Sequence, residues 1–319
     1  MNRGLHGATL ESDQPAAAAA IPPDHRDLLE RPLTAALSTL FADGMAQTQP
    51  VWFSYDPPYL LINTMRGFRK ERNLRRDPRA TLLTIDPLNS SRWLEVRGIT
   101  KLTEVGARAH LDSLAQRYAG VPRFLDGCVP ARLAGNEVPV IGRIWPLRVV
   151  DESCGERSHR RMRAPRSVQA ASPAAHDPIQ LPVSHRDLLE KPVVAALTTL
   201  MPGGQPQTEP VWFSIDDGTV TFNTTRERQR GRNLERDGRA TMLVVDPENE
   251  NRWIEIRGDV DIQTEGALEH LDRLTRRYTP WPAFYGYVQP LERQRTDSRI
   301  IVRLWPRHVV CDAVYSHRR

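Results

Sequence analysis

The distribution of apolar and polar positions along the chain predicts short β-strands joined by turns, with few helices. Alternating or β-branched runs predict six strands in the first half, around 34–40, 51–53, 59–64, 80–85, 93–102 and 140–150. The first two form a hairpin around Asp43–Gly44. Helical segments are predicted through Leu28–Leu29, in a basic stretch ending at Asp77–Pro78, and over 106–118. Six strands without regular β–α alternation favour a small antiparallel barrel over a doubly wound sheet.

The same pattern occurs twice, at a constant shift of 160 residues. From His25 to Tyr118 and from His185 to Tyr278 the two segments align without a gap, and 49 of the 94 paired positions are identical. The shared motifs include HRDLLE, QTxPVWFS, RNL, RWxExRG and GAxxHLD. A period of this length is far above the roughly 20–50 residues of solenoid repeats. The chain is therefore predicted to contain a duplicated domain.

Composition changes between these segments and sets the domain limits. The first stretch, residues 1–22, is rich in Ala, Pro and polar residues and is predicted to be disordered. Residues 23–152 form the first domain and 181–319 the second, and the Arg-, Ser- and Pro-rich stretch 153–180 is predicted to link them. A flexible linker of that length reaches on the order of 30 Å, which allows the two domains to pack side by side.

The net charge of +5 does not indicate a nucleic-acid-binding protein. Five arginines and no acidic residue lie between Arg157 and Arg166, and without them the formal balance is close to zero. No apolar run reaches the roughly 20 residues that span a bilayer, and the N-terminal pattern is not that of a signal peptide. Three cysteines without metal-ligand spacing fit a reducing compartment, so a cytoplasmic protein that binds no membrane is expected.

The segment from Asn63 to Leu74 carries the strongest chemical signal. It lies where a predicted strand ends and a helix begins, and free backbone N–H groups at such a point favour an anion. The hydroxyl of Thr64 and the cations of Arg66, Arg69 and Lys70 follow within two turns, and arginine and lysine are suited to phosphate. Three interpretations are open: a phosphate-bearing cofactor site, a solvated basic helix face, or a nucleic-acid patch with a single aromatic residue for stacking.

Taken together, the motifs PVWF, NTxR, KxxNLxxDPR and RWxExRG resemble the flavin and deazaflavin oxidoreductases of the pyridoxamine 5′-phosphate oxidase-like superfamily. The resemblance covers essentially each whole repeat, and it is greatest to the branch that uses coenzyme F420, a 5-deazaflavin. It implies a mainly β fold with short helices: two FMN-binding-type split β-barrels in tandem that form a pseudo-dimer within one chain. It also implies cofactor clefts between the two barrels and hydride transfer to an unsaturated small molecule, with CH–CH chemistry.

The resemblance assigns the cofactor's phosphate end to the basic segment and the ring to the hairpin strand. The candidate cofactor-binding residues are Gln47, Pro50, Val51, Trp52, Thr64, Arg66, Arg69, Lys70 and Asn73, together with Thr224, Arg226, Arg230 and Asn233 of the second repeat. No residue is assigned a catalytic role, because the cofactor carries the chemistry and the protein positions it. His110 and His270 are interpreted as helix-surface or interface residues. The segments 120–139 and 280–298, where the repeats differ most, are expected to line the substrate pocket.

The second repeat departs from the first within the basic segment. Lys70 is replaced by Arg230, and Gly67 is replaced by Glu227, which places a negative charge beside the expected phosphate site. These differences predict unequal clefts, with the first as the better cofactor site.

Two other functions remain open from the sequence. An FMN-dependent oxidoreductase of the same superfamily has the same ring-and-phosphate outline in its cofactor, although the richness in basic residues favours the polyanionic F420. A non-catalytic protein that carries a flavin, deazaflavin or tetrapyrrole is the alternative outside the enzymes. No histidine pair has metal-ligand spacing, so no metal site is predicted. The fused chain is expected to be a monomer or to form a further homo-oligomer.

Overall fold

The computed structural model describes residues 17–129, 137–153 and 179–312. Each repeat contains seven strands. In the first repeat they are β1 (Ala35–Leu40), β2 (Ala46–Val51), β3 (Phe53–Asp56), β4 (Tyr59–Met65), β5 (Arg79–Asp86), β6 (Asn89–Thr103) and β7 (Pro139–Asp151). In the second they are β8 (Ala195–Leu200), β9 (Pro206–Val211), β10 (Phe213–Asp216), β11 (Thr219–Thr225), β12 (Arg239–Asp246), β13 (Asn249–Gln263) and β14 (Arg299–Cys311).

Three α-helices belong to each repeat. They are α1 (Asp27–Glu30), α2 (Arg69–Arg76) and α3 (Ala107–Ala119), followed by α4 (Arg186–Glu190), α5 (Gln229–Arg236) and α6 (Ala267–Tyr278). The helix α3 begins one residue after the predicted start and buries Leu111 and Leu114 at helical spacing. The predicted helical segments are therefore confirmed.

The strands of each repeat form one curled, fully antiparallel sheet. The order is β2-β1-β5-β6-β7-β4-β3 in the first repeat, and the second repeat has the matching order β9-β8-β12-β13-β14-β11-β10. The expected tandem split barrels are confirmed, but the prediction of six strands per repeat was one short. The chain leaves the β conformation at Trp52, so the predicted second strand is two strands, β2 and β3.

Each barrel encloses its own apolar core. Leu28, Phe53, Leu82 and Val96 are among the fully buried residues of the first core. In the second core Leu188, Phe213, Met242 and Ile256 take the equivalent positions. The two cores use equivalent residues, which explains why the strands of both repeats pair in the same register. A shift of one residue along a strand would move its core side chains to the other face of the sheet.

The two barrels pack directly against each other around a cluster of buried hydroxyl groups. Ser38 and Thr48 of the first repeat meet Thr198 and Thr208 of the second, and the hydroxyl oxygens of Ser38 and Thr208 are 2.7 Å apart. A shared apolar cluster adds Leu83 and Trp253. Because buried hydroxyls need partners, this cluster specifies one arrangement of the two repeats. The contacts form the expected pseudo-dimer interface.

Two buried glutamates cross the same interface. Glu95 accepts the backbone N–H of Thr208 at 2.7 Å, and Glu255 accepts that of Thr48 at 2.6 Å. Arg97 pairs with Glu95 at 2.6 Å. Burial raises the pKa of Glu255 to about 7. The repeated Glu positions of the RWxExRG motif therefore join the two repeats, and the Arg positions pair with these glutamates within each repeat.

The segments expected to be disordered or linking are only partly within the described residues. Residues 1–16, and 154–178 of the expected linker, lie outside them. The described part of the N-terminal stretch packs on the first barrel: the N–H of Ala19 donates to the carbonyl of Pro146 at 2.9 Å, and Ile21 joins the core. Residues 17–22 are therefore part of the first folded unit.

Candidate functional site

A cleft of about 540 Å³ lies between the repeats and is built mainly from the first. Its lining comprises Thr34, Pro50, Val51, Trp52, Asn63, Thr64, Met65, Phe68, Lys70, Leu111, Leu114, Phe124, Cys128 and Val129, with Glu250, Asn251 and Asp312 from the second repeat. Its size is in the range of small-molecule and cofactor sites. Because both repeats contribute, the cleft is complete only in the packed pseudo-dimer.

One wall of the cleft is aromatic and held in place by hydrogen bonds. The rings of Trp52 and Tyr118 stack with centroids 5.1 Å apart, and Phe124 meets Trp52 edge-on at 6.0 Å. The hydroxyl of Tyr118 donates toward the carbonyls of Leu33 and Phe53 at 3.0 and 3.1 Å. Burial raises the pKa of Tyr118 to about 12, so the ring stays neutral. The wall is a rigid, uncharged surface suited to a flat ring system.

Glu250 of the second repeat fixes this wall from the other side of the interface. Its carboxylate accepts the indole N–H of Trp52 at 2.9 Å and also the hydroxyl of Thr34. Glu250 lies at the start of the long strand β13, the same strand that carries the interface residue Glu255. The orientation of Trp52 therefore depends on how the two barrels are packed.

The polar end of the cleft contains two groups without partners among the described residues. The hydroxyl oxygen of Thr64 is buried and has no hydrogen-bond partner there. Within the described part of the chain, Lys70 makes neither an ion pair nor a hydrogen bond, and burial lowers the pKa of its ammonium group to about 8. The Thr64 hydroxyl is buried and the Lys70 side chain is half-buried, so leaving either without a partner costs free energy. Both favour a ligand that supplies acceptor oxygens and negative charge.

Local structure explains why Lys70 faces the cleft. The strand β4 ends at Met65, Gly67 turns the chain with φ of 80°, and α2 begins at Arg69. Glu71 is buried and accepts the N–H of Gly67 at 3.1 Å, and it pairs with Arg75 on the next turn. The carboxylate of Glu71 therefore accepts from one of the backbone N–H groups that the sequence predicted to bind an anion.

The candidate residues of the first repeat fall into two groups. Pro50, Val51, Trp52, Thr64 and Lys70 line the cleft, whereas Gln47, Arg66, Arg69 and Asn73 do not. Arg66 pairs with Glu104 at the surface, and the guanidinium carbon of Arg69 lies 5.5 Å from the ring centroid of Phe41. Asn73 donates its amide N–H groups to Gln47 at 3.0 Å and Thr39 at 3.1 Å. Asn73, Gln47 and Thr39 are buried, and these two hydrogen bonds fix α2 on β1 and β2.

In the second repeat, the residues equivalent to Thr64 and Lys70 hydrogen-bond to each other. Arg230 donates from Nε to the hydroxyl of Thr224 at 3.0 Å and from Nη1 to the carbonyl of Pro210 at 3.1 Å. Glu209 lies 3.7 Å from Arg230, where the first repeat has the neutral Gln49. An anion there would have to displace protein contacts that already exist.

Further charged side chains lie near Arg230 in the second repeat. Arg299 donates to the hydroxyl of Tyr285 at 2.7 Å and lies 4.7 Å from the ring centroid of Phe284. Arg228 replaces Phe68, and burial lowers its pKa to about 10. Arg226 pairs with Glu235, and Asn233 binds Gln207 at 2.7 Å as Asn73 binds Gln47. The expected inequality of the clefts agrees with these contacts.

The second repeat also differs from the first in contacts that the sequence did not suggest. Glu227 accepts the N–H of Ser298 at 3.1 Å. The hydroxyl of Thr224 is instead taken by Arg230, the replacement for Lys70. In the second repeat, Arg230 already hydrogen-bonds to the threonine hydroxyl whose equivalent in the first repeat, Thr64, has no partner among the described residues.

The two helix histidines face the barrel: His270 is buried and His110 is half-buried, so neither is a fully exposed helix-surface residue. His270 is 1% exposed, and burial lowers its pKa to about 4. Nε2 of His110 lies 3.0 Å from the Ser54 hydroxyl, while Nδ1 accepts from the amide of Asn63 at 3.3 Å. Burial lowers the pKa of His110. Both histidines join the helix to the barrel, and the lowered pKa favours the neutral ring.

Sequence patterns did not identify the residues that the second repeat contributes to the first cleft. Glu250 and Asn251 lie at the start of β13, and Asp312 directly follows the neighbouring strand β14. The corresponding first-repeat positions are Ser90, Ser91 and Glu152, so the internal alignment shows where the two clefts differ. Phe124, Cys128 and Val129 belong to the segment expected to line the substrate pocket.

The described residues contain neither a cluster of metal ligands nor a membrane-spanning helix. No group of three or more His, Cys, Asp or Glu side chains there could hold a metal ion. Across the described ranges, every helix is too short or too polar to cross a bilayer.

Several solved structures match less than half of the chain. An F420 reductase is 30% identical over 41% of this chain and 98% of its own, with a TM-score of 0.36. A conserved hypothetical protein from Mycobacterium tuberculosis is 24% identical over 48% and 96%, with a TM-score of 0.34. A putative pyridoxamine 5′-phosphate oxidase from Listeria innocua is 17% identical over 40% and 94%, with a TM-score of 0.31. No curated protein matches the chain.

The family comparison covers both repeats. The pyridoxamine 5′-phosphate oxidase family matches residues 21–130 and again residues 181–308. These two ranges include most of the chain and the greater part of each barrel, although the first ends before β7 and the second ends within β14. The chain therefore belongs to the pyridoxamine 5′-phosphate oxidase family and contains two copies of its domain in tandem.

Proposed function

We propose that the chain is an F420-dependent reductase that binds one deazaflavin, in the first cleft, and reduces an unsaturated small molecule. The observation that carries the proposal is the polar end of this cleft, where the Thr64 hydroxyl and the Lys70 ammonium have no partner among the described residues. A phosphate group supplies what both lack: acceptor oxygens and negative charge. The aromatic wall beside them suits the ring of the same cofactor.

The protein's part in this function is to bind, orient and exclude water. Lys70 and Thr64 would hold the phosphate end, while Trp52, held by Glu250, limits where the ring lies. When bound, the deazaflavin supplies the hydride. His110 has a pKa lowered by burial and donates toward Ser54, so it is a structural group in this scheme. The substrate would lie against the part of the cleft formed by Phe124, Cys128 and Asn251.

One observation favours FMN as a second candidate. The basic richness of the segment supported the polyanionic F420, but Arg66 pairs with Glu104 and Arg69 lies over Phe41. Lys70 is the single cationic residue in the described lining of the cleft. One lysine and one hydroxyl match a single phosphate group, which is the only anionic group of FMN.

Titration of purified protein with F420 and with FMN, followed by cofactor fluorescence, tests the proposal. We expect saturable F420 binding with one molecule per chain, because Arg230 already fills the equivalent place in the second cleft. Tight FMN binding with no F420 binding would select the second candidate. Two equal sites per chain would contradict the one-site proposal. Oxidation of reduced F420 by conjugated acceptors then separates an enzyme from a carrier protein.

Cofactor affinity is expected to fall as the pH rises through 8. The pKa of Lys70 is lowered to about 8 in the free protein, and a bound phosphate favours the charged form. Binding therefore requires proton uptake above that pH. By linkage the dissociation constant should be about tenfold larger at pH 9 than at pH 7. Fluorescence titrations at constant ionic strength measure this change, and an unchanged constant would exclude charged Lys70 from the phosphate site.

A further inference from the structure

A second cavity of about 500 Å³ lies between the repeats, at the hairpin turns and away from the aromatic wall. It is lined in equivalent pairs by Leu40 and Leu200, Phe41 and Met201, Ala42 and Pro202, Gly44 and Gly204, Arg76 and Arg236, Asp77 and Asp237, and Arg79 and Arg239. None of these residues lines the cofactor cleft. Its pseudo-symmetry places it where the two barrels meet.

Two of the four arginines are neutralised within the cavity. Arg79 donates from Nε to the carboxylate of Asp77 at 2.9 Å, and Arg239 does the same to Asp237 at 2.8 Å. Arg239 also reaches the carbonyl of Asp43 in the other repeat at 2.8 Å. These pairs brace the interface and leave no net charge of their own.

The other two arginines, Arg76 and Arg236, form no direct ion pair with a carboxylate of the described residues, although Asp77 and Asp237 interact with them at longer range. Arg76 donates to the carbonyl of Leu40, and Arg236 donates to that of Leu200. Each is also near the side-chain oxygen of an asparagine, at 3.4 Å for Asn73 and 3.3 Å for Asn233. The Nε groups of both donate to none of the described residues. Arg76 and Arg236 are exposed residues, and each guanidinium group is anchored on one backbone carbonyl. With Arg79 and Arg239 paired to the two aspartates, they leave two positive charges in excess at the cavity.

We propose that this cavity binds a small anion with two oxyanion groups, which bridges the two repeats. Arg76 and Arg236 would each contact one of these groups, because the guanidinium fork matches phosphate and carboxylate oxygens. The side chains of Leu40, Leu200, Phe41 and Met201 give the cavity apolar surface around the charged pair. Binding would stabilise the packed pseudo-dimer, since a ligand that needs both repeats binds only when they are together.

Calorimetric titration of the full-length protein with inorganic pyrophosphate and with succinate, at low salt, tests this site. Because the phosphate end of the first cleft would also bind pyrophosphate, the titration is run on Lys70→Met as well as on the unmodified chain. We expect one molecule of at least one of these anions to bind per chain of Lys70→Met, with a rise in Tm. Arg76→Gln and Arg236→Gln should each weaken binding about tenfold, because each removes one charge-assisted contact. The double variant should bind neither anion measurably.

Matched variants separate the site from general electrostatics and from the cofactor cleft. Arg26→Gln with Arg186→Gln removes two equivalent exposed charges elsewhere and should leave the anion affinity within about twofold of the unmodified chain. Lys70→Met should also retain anion binding in this cavity, since Lys70 does not line it. Absence of binding by both anions, or equal loss in the Arg26 and Arg186 variant, would overturn the proposal. Neither result depends on whether the first cleft binds F420.

Discussion

Lys70→Met is expected to weaken cofactor binding about a hundredfold without lowering stability. The variant leaves the aromatic wall intact but removes the only cation in the described cleft lining. Loss of a charge-assisted contact to phosphate costs about 3 kcal/mol, so the dissociation constant should rise about a hundredfold. Lys70 is destabilising when charged, because its pKa is lowered from 10.5 to about 8 by burial. The Tm of the unliganded variant should therefore be equal to or above that of the unmodified chain.

Arg69→Met is the matched control for this prediction. It removes the same charge one residue earlier, from a side chain that lies over Phe41 outside the cleft. Its cofactor dissociation constant should stay within about threefold of the unmodified value, since exposed charges contribute little at physiological salt. Equal losses in Arg69→Met and Lys70→Met would mean that the basic segment acts as a general electrostatic field. Fluorescence titration and thermal denaturation of both variants give the two readouts.

The fold was predictable because its determinants are repeated and local. Alternating strands, the turn at Gly44 and the helical spacing of α3 can each be identified within a few residues, and the duplication identified each twice. The missed strand boundary at Trp52 has no such local signal, because the break serves the placement of the indole against Tyr118 and Glu250. That arrangement depends on residues from both repeats.

The candidate site was predictable only to the level of the segment that forms it. The sequence located the basic turn after β4, but the cations within its two helical turns point in different directions. Arg66 turns to Glu104 and Lys70 turns inward, and this choice depends on where Glu104 lies in the fold. In the same way, the exchange of Gln49 for Glu209 changes the second cleft through its contact with Arg230. Sequence alone does not show such through-space pairings.

Gly258→Ala is expected to unfold the second repeat. Gly258 lies at a register shift between β13 and β14, and an added Cβ would be 1.8 Å from the carbonyl oxygen of Trp305. The clash is with a backbone atom in the middle of the sheet, so relief requires the two longest strands of the repeat to separate. We expect a loss of about 4 kcal/mol or more in the free energy of unfolding. Urea denaturation followed by tryptophan fluorescence measures it.

The effect should also reach the first cleft, because β13 carries both Glu250 and the interface residue Glu255. Gly238→Ala is the matched control: its Cβ would have no neighbour nearer than 3.8 Å, at the carbonyl oxygen of Val260. That variant should be as stable as the unmodified chain or more stable by about 0.4–1 kcal/mol, because alanine reduces the freedom of the unfolded chain. Equal urea midpoints for Gly258→Ala and Gly238→Ala would show that the sheet adapts to a side chain at the bulge. We expect Gly258→Ala to lose cofactor binding and Gly238→Ala to keep it. That result would demonstrate that the folded second repeat is needed to complete the cleft of the first repeat.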